Sequence, residues 1–154
     1  MSADAKLAEL QAEMPPAPKP VGVYKPVVIV GNLVYTSGHG PLLPNGSLML
    51  GKVGSEVDQQ HGYKAARATG MAILASLKSA LGSLDRIKRV VKTFGMVNCT
   101  PEFPNQPAVI NGCSELFADV WGKDNGVGAR SAVGHNALPG NMSVEIEVIF
   151  ELNS

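Results

Sequence analysis

Apolar and polar positions change period several times along the chain, and each change marks an element. Val27-Val28-Ile29-Val30 and Leu33-Val34-Tyr35-Thr36-Ser37 are β-branched runs around Gly31-Asn32, which predicts a hairpin. From Asp58 to Leu81 the period becomes helical: Tyr63, Ala66, Gly70, Ile73, Leu74, Leu77 and Leu81 form one stripe, and Gly82 is placed to end it in a left-handed cap. Ala65, Ala68, Ala72 and Ser76 interrupt the polar side with a small-residue lane suited to close packing on a sheet. The β-branched content of Val90 to Val97 predicts a strand. After a proline-bearing loop from Thr100 to Pro107, Val109, Cys113, Leu116, Phe117 and Val120 mark a second helix, with Asn111 off its stripe. In the last strand Val144, Ile146, Val148 and Phe150 point one way and Glu145, Glu147, Ile149 and Glu151 the other.

This order predicts an α+β fold, a mixed sheet with two helices packed on one face. The strands carry apolar residues on both sides, including Val28, Val30, Leu33 and Tyr35 in the hairpin. A sheet face without helices then needs a partner subunit, so a closed ring of subunits is expected. Residues 1–20 read as an N-terminal arm: a short helix ended by Pro15-Pro16-Ala17-Pro18-Lys19-Pro20, mobile or loosely docked. Residues 21–154 read as the folded domain. Gly38-His39-Gly40-Pro41 predicts a tight, exposed bend where the backbone can approach a ligand closely.

Composition narrows the function classes. Of 154 residues 45% are hydrophobic, enough for a real core, and 13 Lys and Arg balance 13 Asp and Glu. No overall field attracts nucleic acid or an anionic membrane, and the one basic cluster, Arg86, Lys88, Arg89 and Lys92, lacks interleaved aromatics and reads as the solvated start of a strand. The first residues lack the pattern of a secretory signal and no apolar run could span a bilayer, so a cytoplasmic location is expected. Cys99 and Cys113 are the only cysteines and are expected to be free, Cys113 as a small buried hydrophobe. There is no Cys-x-x-Cys and no His-Glu-x-x-His, and Gly126-Val127-Gly128 lacks the third glycine of a dinucleotide fingerprint, so neither metal nor cofactor is expected.

The candidate chemistry lies near the end. Gly128-Ala129-Arg130-Ser131-Ala132-Val133, the turn Ala137 to Asn141 and the final strand place a guanidinium and a carboxylate, Arg130 and Glu145, on consecutive strand-like segments. Arginine suits a carboxylate clamp because its planar fork makes two parallel hydrogen bonds and stays charged at any relevant pH. Glu145 beside it could orient a water. Taken alone, the two residues fit equally well as an ordinary ion pair between neighbouring strands.

Tyr24, Thr36-Ser37-Gly38, Asn111, Ala129-Arg130-Ser131, Leu138-Pro139 and Val144-Glu145-Ile146-Glu147 together resemble the RidA/YjgF family, from about Gly22 to the C-terminus. The resemblance implies a chorismate-mutase-like α+β fold, a homotrimer, and an active site in each cleft between subunits. It implies hydrolytic deamination of reactive enamines and imines, such as 2-aminoacrylate and 2-iminobutanoate, to 2-keto acids and ammonia without a cofactor. By matching positions Arg130 would clamp the substrate carboxylate, Glu145 would orient the attacking water, and the carbonyl of Ala132 would be the water's second ligand. Tyr24, Ser37, Gly38 and Asn111 match pocket or support positions.

Departures from the family pattern border this pocket. Gly134-His135 replaces the usual acidic and β-branched pair, His39 stands where glutamine is frequent, and the arm and the loop from Thr100 to Pro107 are longer. His39 is expected to be exposed, His61 to lie at the surface near a helix start, and His135 to lie on the face opposite Arg130 unless Gly134 carries a bulge. Two rival readings stand beside the deaminase: endoribonuclease, a label common in the family, and a non-catalytic trimeric module binding small carboxylates. Scattered histidines and a neutral surface argue against the first.

Overall fold

The β-branched runs pair as their period requires, with Val30 opposite Leu33 and Gly31 at φ 61° supplying the positive angle the two-residue turn needs. In the computed structural model, which describes residues 1–154, the elements follow the expected order with one helix in front. They are α1 (Ala3–Glu9), β1 (Val27–Val30), β2 (Leu33–Thr36), α2 (Gln59–Leu81), β3 (Ile87–Asn98), α3 (Gln106–Gly126), β4 (Ala129–His135) and β5 (Val144–Leu152). Asp58 caps α2 by accepting from the His61 amide at 2.8 Å, and Gly82, at φ 84°, ends it. His61 itself is half-buried in the first turn.

The strands form one mixed sheet in the order β1-β2-β5-β3-β4, with only the β3–β4 pair parallel. Val144, Ile146, Val148, Phe150 and Leu152 of β5 are buried against α2 and α3, while Glu145, Glu147 and Ile149 face away. Phe117, Trp121 and Phe150 meet with ring centroids 5.6 to 5.7 Å apart and close the core between α3 and the sheet. The opposite sheet face stays open and carries Val28, Val30, Tyr35 and Val133, all at least 38% exposed.

Two local expectations are corrected. The arm is not loosely docked: Ala3 and Leu7 of α1 join the core, Asp4 bonds the Ser83 hydroxyl at 2.5 Å and pairs with Lys78 at 3.1 Å, and Pro15 is buried. The segment after β2 is not an exposed bend. Its register against β5 moves by one residue between Tyr35↔Ile149 and His39↔Ile146. At the offset the Thr36 hydroxyl substitutes for backbone, accepting from the Val148 amide at 2.9 Å and donating to the Val148 carbonyl at 3.3 Å. This bulge turns His39, which shares its parity with the outward Tyr35, onto the helix side, where it is buried.

Candidate active site

Arg130 and Glu145 are not neighbours across a strand pair. β3 lies between their strands, and pairing puts the two side chains on opposite faces, because directly opposed residues share a face. Arg130 lies opposite the buried Thr93, on the side of the helices; Glu145 lies opposite Met96, on the open side. The simple ion-pair reading is therefore wrong within this chain. What remains is two groups of side chains, each holding half of the expected chemistry.

The first group lies at the β4 edge. Arg130 Nη1 donates to Asn111 Oδ1 at 2.7 Å and to Ser114 Oγ at 3.2 Å, both from α3. Asn111 is available because it lies off the apolar stripe, as the sequence indicated; Ser114, three residues further on, is a partner the sequence reading missed. A helical i, i+3 spacing in front of Arg130 is the signal that could have found it. None of the four ion pairs in the chain includes Arg130. A cavity of about 380 Å³ opens here, lined by Thr93, Asn111, Ser114, Glu115 and Arg130 among others. Neutral acceptors thus hold one nitrogen of the guanidinium in place, and no carboxylate forms an ion pair with it. Ala132 sits two residues along the same face, opposite Gly95.

The second group gathers Gly38, Glu145 and Tyr24. A Cβ on Gly38 would lie 2.2 Å from Glu145 Oε2, so a residue with a side chain here would push the carboxylate aside. The Glu145 carboxyl titrates above its ordinary range, first because it is partly buried and second because Glu147 lies on the same face; His135 opposes the shift. His135 reaches that face because the β3–β4 register is unbroken and leaves it on the side opposite Arg130. Tyr24 is 45% exposed beside a cavity of about 410 Å³ that Gly38 also lines. Ser37 turns instead toward the segment before β1, donating its hydroxyl to the Lys25 carbonyl at 2.6 Å.

His39 locks this loop from behind, contrary to its expected exposure. Its Nδ1 lies 2.7 Å from the Ser37 carbonyl, an acceptor only, so Nδ1 carries the proton and Nε2 accepts from the Ser76 hydroxyl at 2.8 Å. Burial lowers its pKa and keeps the ring neutral, against the smaller opposing effect of the Ser37 carbonyl. Its backbone also exchanges hydrogen bonds of 2.8 and 3.0 Å with Ile146, next to Glu145. Elsewhere Lys88 and Arg89 both pair with Glu151, at 3.0 and 3.1 Å, which neutralises part of the basic cluster. Both cysteines are free and buried, and burial raises the Cys113 thiol far above its ordinary range. No group of three or more His, Cys, Asp or Glu side chains could hold a metal ion, and no helix is long and apolar enough to cross a membrane.

Comparison with known proteins puts this geometry in context. The family model described as "YjgF/chorismate mutase-like, putative endoribonuclease" matches residues 4–152. Protein TCP17 of Trypanosoma cruzi is 38% identical over 150 residues, covering 97% of this chain and 94% of that protein. A 2-iminobutanoate/2-iminopropanoate deaminase of Dermatophagoides farinae is 31% identical, covering 88% of this chain and 90% of that one. The crystal structure of protein Atu1372 from Agrobacterium tumefaciens, of unknown function, superposes with a TM-score of 0.88 at 42% identity, covering 98% of this chain and 94% of that chain.

Proposed function

The chain belongs to the YjgF/chorismate mutase-like family, and from that premise we propose that it is a hydrolytic deaminase of small 2-imino acids and their enamine tautomers, acting as a homotrimer. The observation that carries this reading is the separation of Arg130 and Glu145 on opposite faces of one sheet. Each is prepared for a role it cannot complete within its own protomer. Arg130 of one copy would meet Glu145, Gly38 and Tyr24 of the next across a cleft, and the similarity to a 2-iminobutanoate/2-iminopropanoate deaminase supplies the substrate type.

The chemistry asks little of the protein. A protonated imine carbon is already electrophilic, so the site must fix the carboxylate and deliver one water. Arg130 holds the carboxylate through charge-assisted bonds of about 1.5–3 kcal/mol each. Glu145, as carboxylate, accepts a proton from water as the oxygen adds to C2 and the C=N π pair moves to nitrogen. The resulting carbinolamine takes that proton back on nitrogen, the C–N bond breaks with its pair leaving on ammonia, and the hydroxyl oxygen gives its own proton to the Glu145 carboxylate as it forms the keto group. That proton then passes to ammonia, which departs as ammonium. A raised Glu145 pKa strengthens the base and brings it closer to operating pH. The ribonuclease reading gains nothing from the surface, where the basic cluster is partly spent on Glu151.

Mixed protomers test the shared site. Arg130→Ala and Glu145→Ala homo-oligomers should each lose about two orders of magnitude in kcat/KM on 2-iminobutanoate. Random co-assembly of the two variants should regenerate about a quarter of the intact sites, because an interface is whole when it takes its Arg from one variant and its Glu from the other. Recovery of nothing from verified mixed trimers would place both groups in separate roles. Wild type that binds 2-ketobutyrate without turning over the imine would be a binding module.

A further inference from the structure

The cavity beside Gly38 is larger and more apolar than an ethyl or vinyl group requires. We propose that it is the subsite for the substrate's side chain, and that the preferred substrates are 2-imino acids with branched or aromatic apolar side chains. This rests on the deaminase reading and names its substrate class.

Three observations carry it. First, Gly38 joins the two places: it lines the cavity, and the Glu145 carboxylate occupies the space beside its Cα. A substrate whose C2 faces the water on Glu145 therefore has this opening within reach of C3. Second, the volume of about 410 Å³ falls within the range of roughly 300–1,000 Å³ usual for small-molecule pockets, far beyond two carbons. Third, the walls are apolar and held in place. Leu42 and Leu48 bridge each other, Leu50 bridges Met142, and the Gly51 amide bonds the Asn141 carbonyl at 2.9 Å. Leu48 is nonetheless 42% exposed, so the pocket keeps uncovered apolar surface. The arm adds Pro18 and Pro20 to the rim, and Val21 follows directly after them.

The polar groups present do not favour a hydrophilic side chain. His39 is neutral, and both its ring nitrogens are occupied by Ser37 and Ser76. The Tyr24 hydroxyl accepts from the Val21 amide at 3.4 Å, so it offers at most one neutral donor to the cavity. Lys19, exposed at the rim and outside every ion pair, is the one cation that could instead select an acidic side chain.

The test is turnover of imines generated in situ by an amino-acid oxidase from alanine, 2-aminobutyrate, leucine, phenylalanine and glutamate, with keto acid release as readout. At about fourfold per buried methylene, the leucine imine should exceed the alanine imine at least about tenfold in kcat/KM. Leu48→Trp, at a partly exposed site that should not disturb folding, should lower that ratio by about tenfold. A flat series, a preference for the alanine or glutamate imine, or a ratio unmoved by Leu48→Trp would overturn the subsite. If no imine is hydrolysed at all, the deaminase reading fails on its own, and ligand-observed NMR then judges the cavity. Binding of 4-methyl-2-oxopentanoate about tenfold tighter than pyruvate, lost in Leu48→Trp, would uphold it, and equal binding would reject it.

Discussion

Glu145 and Glu147 stand two residues apart on one face of β5, and their repulsion adds to burial in holding the Glu145 carboxyl above its ordinary value of 4.5. As the proposed base, Glu145 works only when ionised, so the rate should fall as pH drops through its folded pKa. Stability runs the other way: a raised folded pKa means the native state keeps the proton more tightly, so the contribution is full below 4.5 and lost as pH rises through the folded value. Glu147→Gln removes the repulsion and leaves burial, the larger cause. The acid limb of a pH-rate profile should move to lower pH without reaching that of a free glutamate; an unmoved limb would assign it to another group. At this scale the sequence was legible where chemistry is local. Arg130 and the off-stripe Asn111 are read from type and spacing, and the structure joins them at 2.7 Å. His39 was not legible, because its burial depends on a one-residue bulge that the Thr36 side chain completes with a strand more than a hundred residues away.

Between elements, the contact that limits what the fold tolerates is the crossing of α2 and α3. A Cβ at Gly112 would lie 2.1 Å from the Tyr63 carbonyl oxygen, and one at Gly70 would lie 2.9 Å from Leu116 Cδ2. The first neighbour is backbone and cannot swing aside; the second is the end of a flexible side chain. Gly112→Ala should therefore destabilise by about 1–3 kcal/mol, the usual cost of overpacking, and Gly70→Ala by clearly less. Chemical denaturation of both variants checks the ranking, and equal losses would mean that the helices can separate freely. The helices themselves, the hairpin and the last strand were legible because each shows its own period over enough residues. The strand order was not. Nothing in the spacing of Arg130 and Glu145 says that β3 inserts between β4 and β5, since that pairing is fixed by α3 crossing over to lay β4 parallel to β3. That insertion separates the two residues, and Arg130's position opposite Thr93 with Glu145's opposite Met96 puts them on different faces.

For the whole molecule, the two sheet faces have unequal cover. α2 and α3 bury one side so fully that Val34, Ile146 and Phe150 show no exposure, and α1 is packed into the same core. The other side offers Val28, Val30, Tyr35 and Val133 to solvent at 38 to 61% exposure, and Glu145 shares that side. A trimer that covered this face would join apolar burial to completion of the site, so assembly and turnover should fail together. Val133→Asp places a charge in the face without touching the helix-side core; Tyr35→Glu does the same from β2. Each variant should sediment as a monomer, keep the far-ultraviolet circular dichroism of the parent, and lose imine turnover. A monomeric variant with parental kcat/KM would break the link between assembly and site. A variant that assembled like the parent would show that copies meet elsewhere, leaving Arg130 and Glu145 without the shared cleft that the proposed deaminase requires.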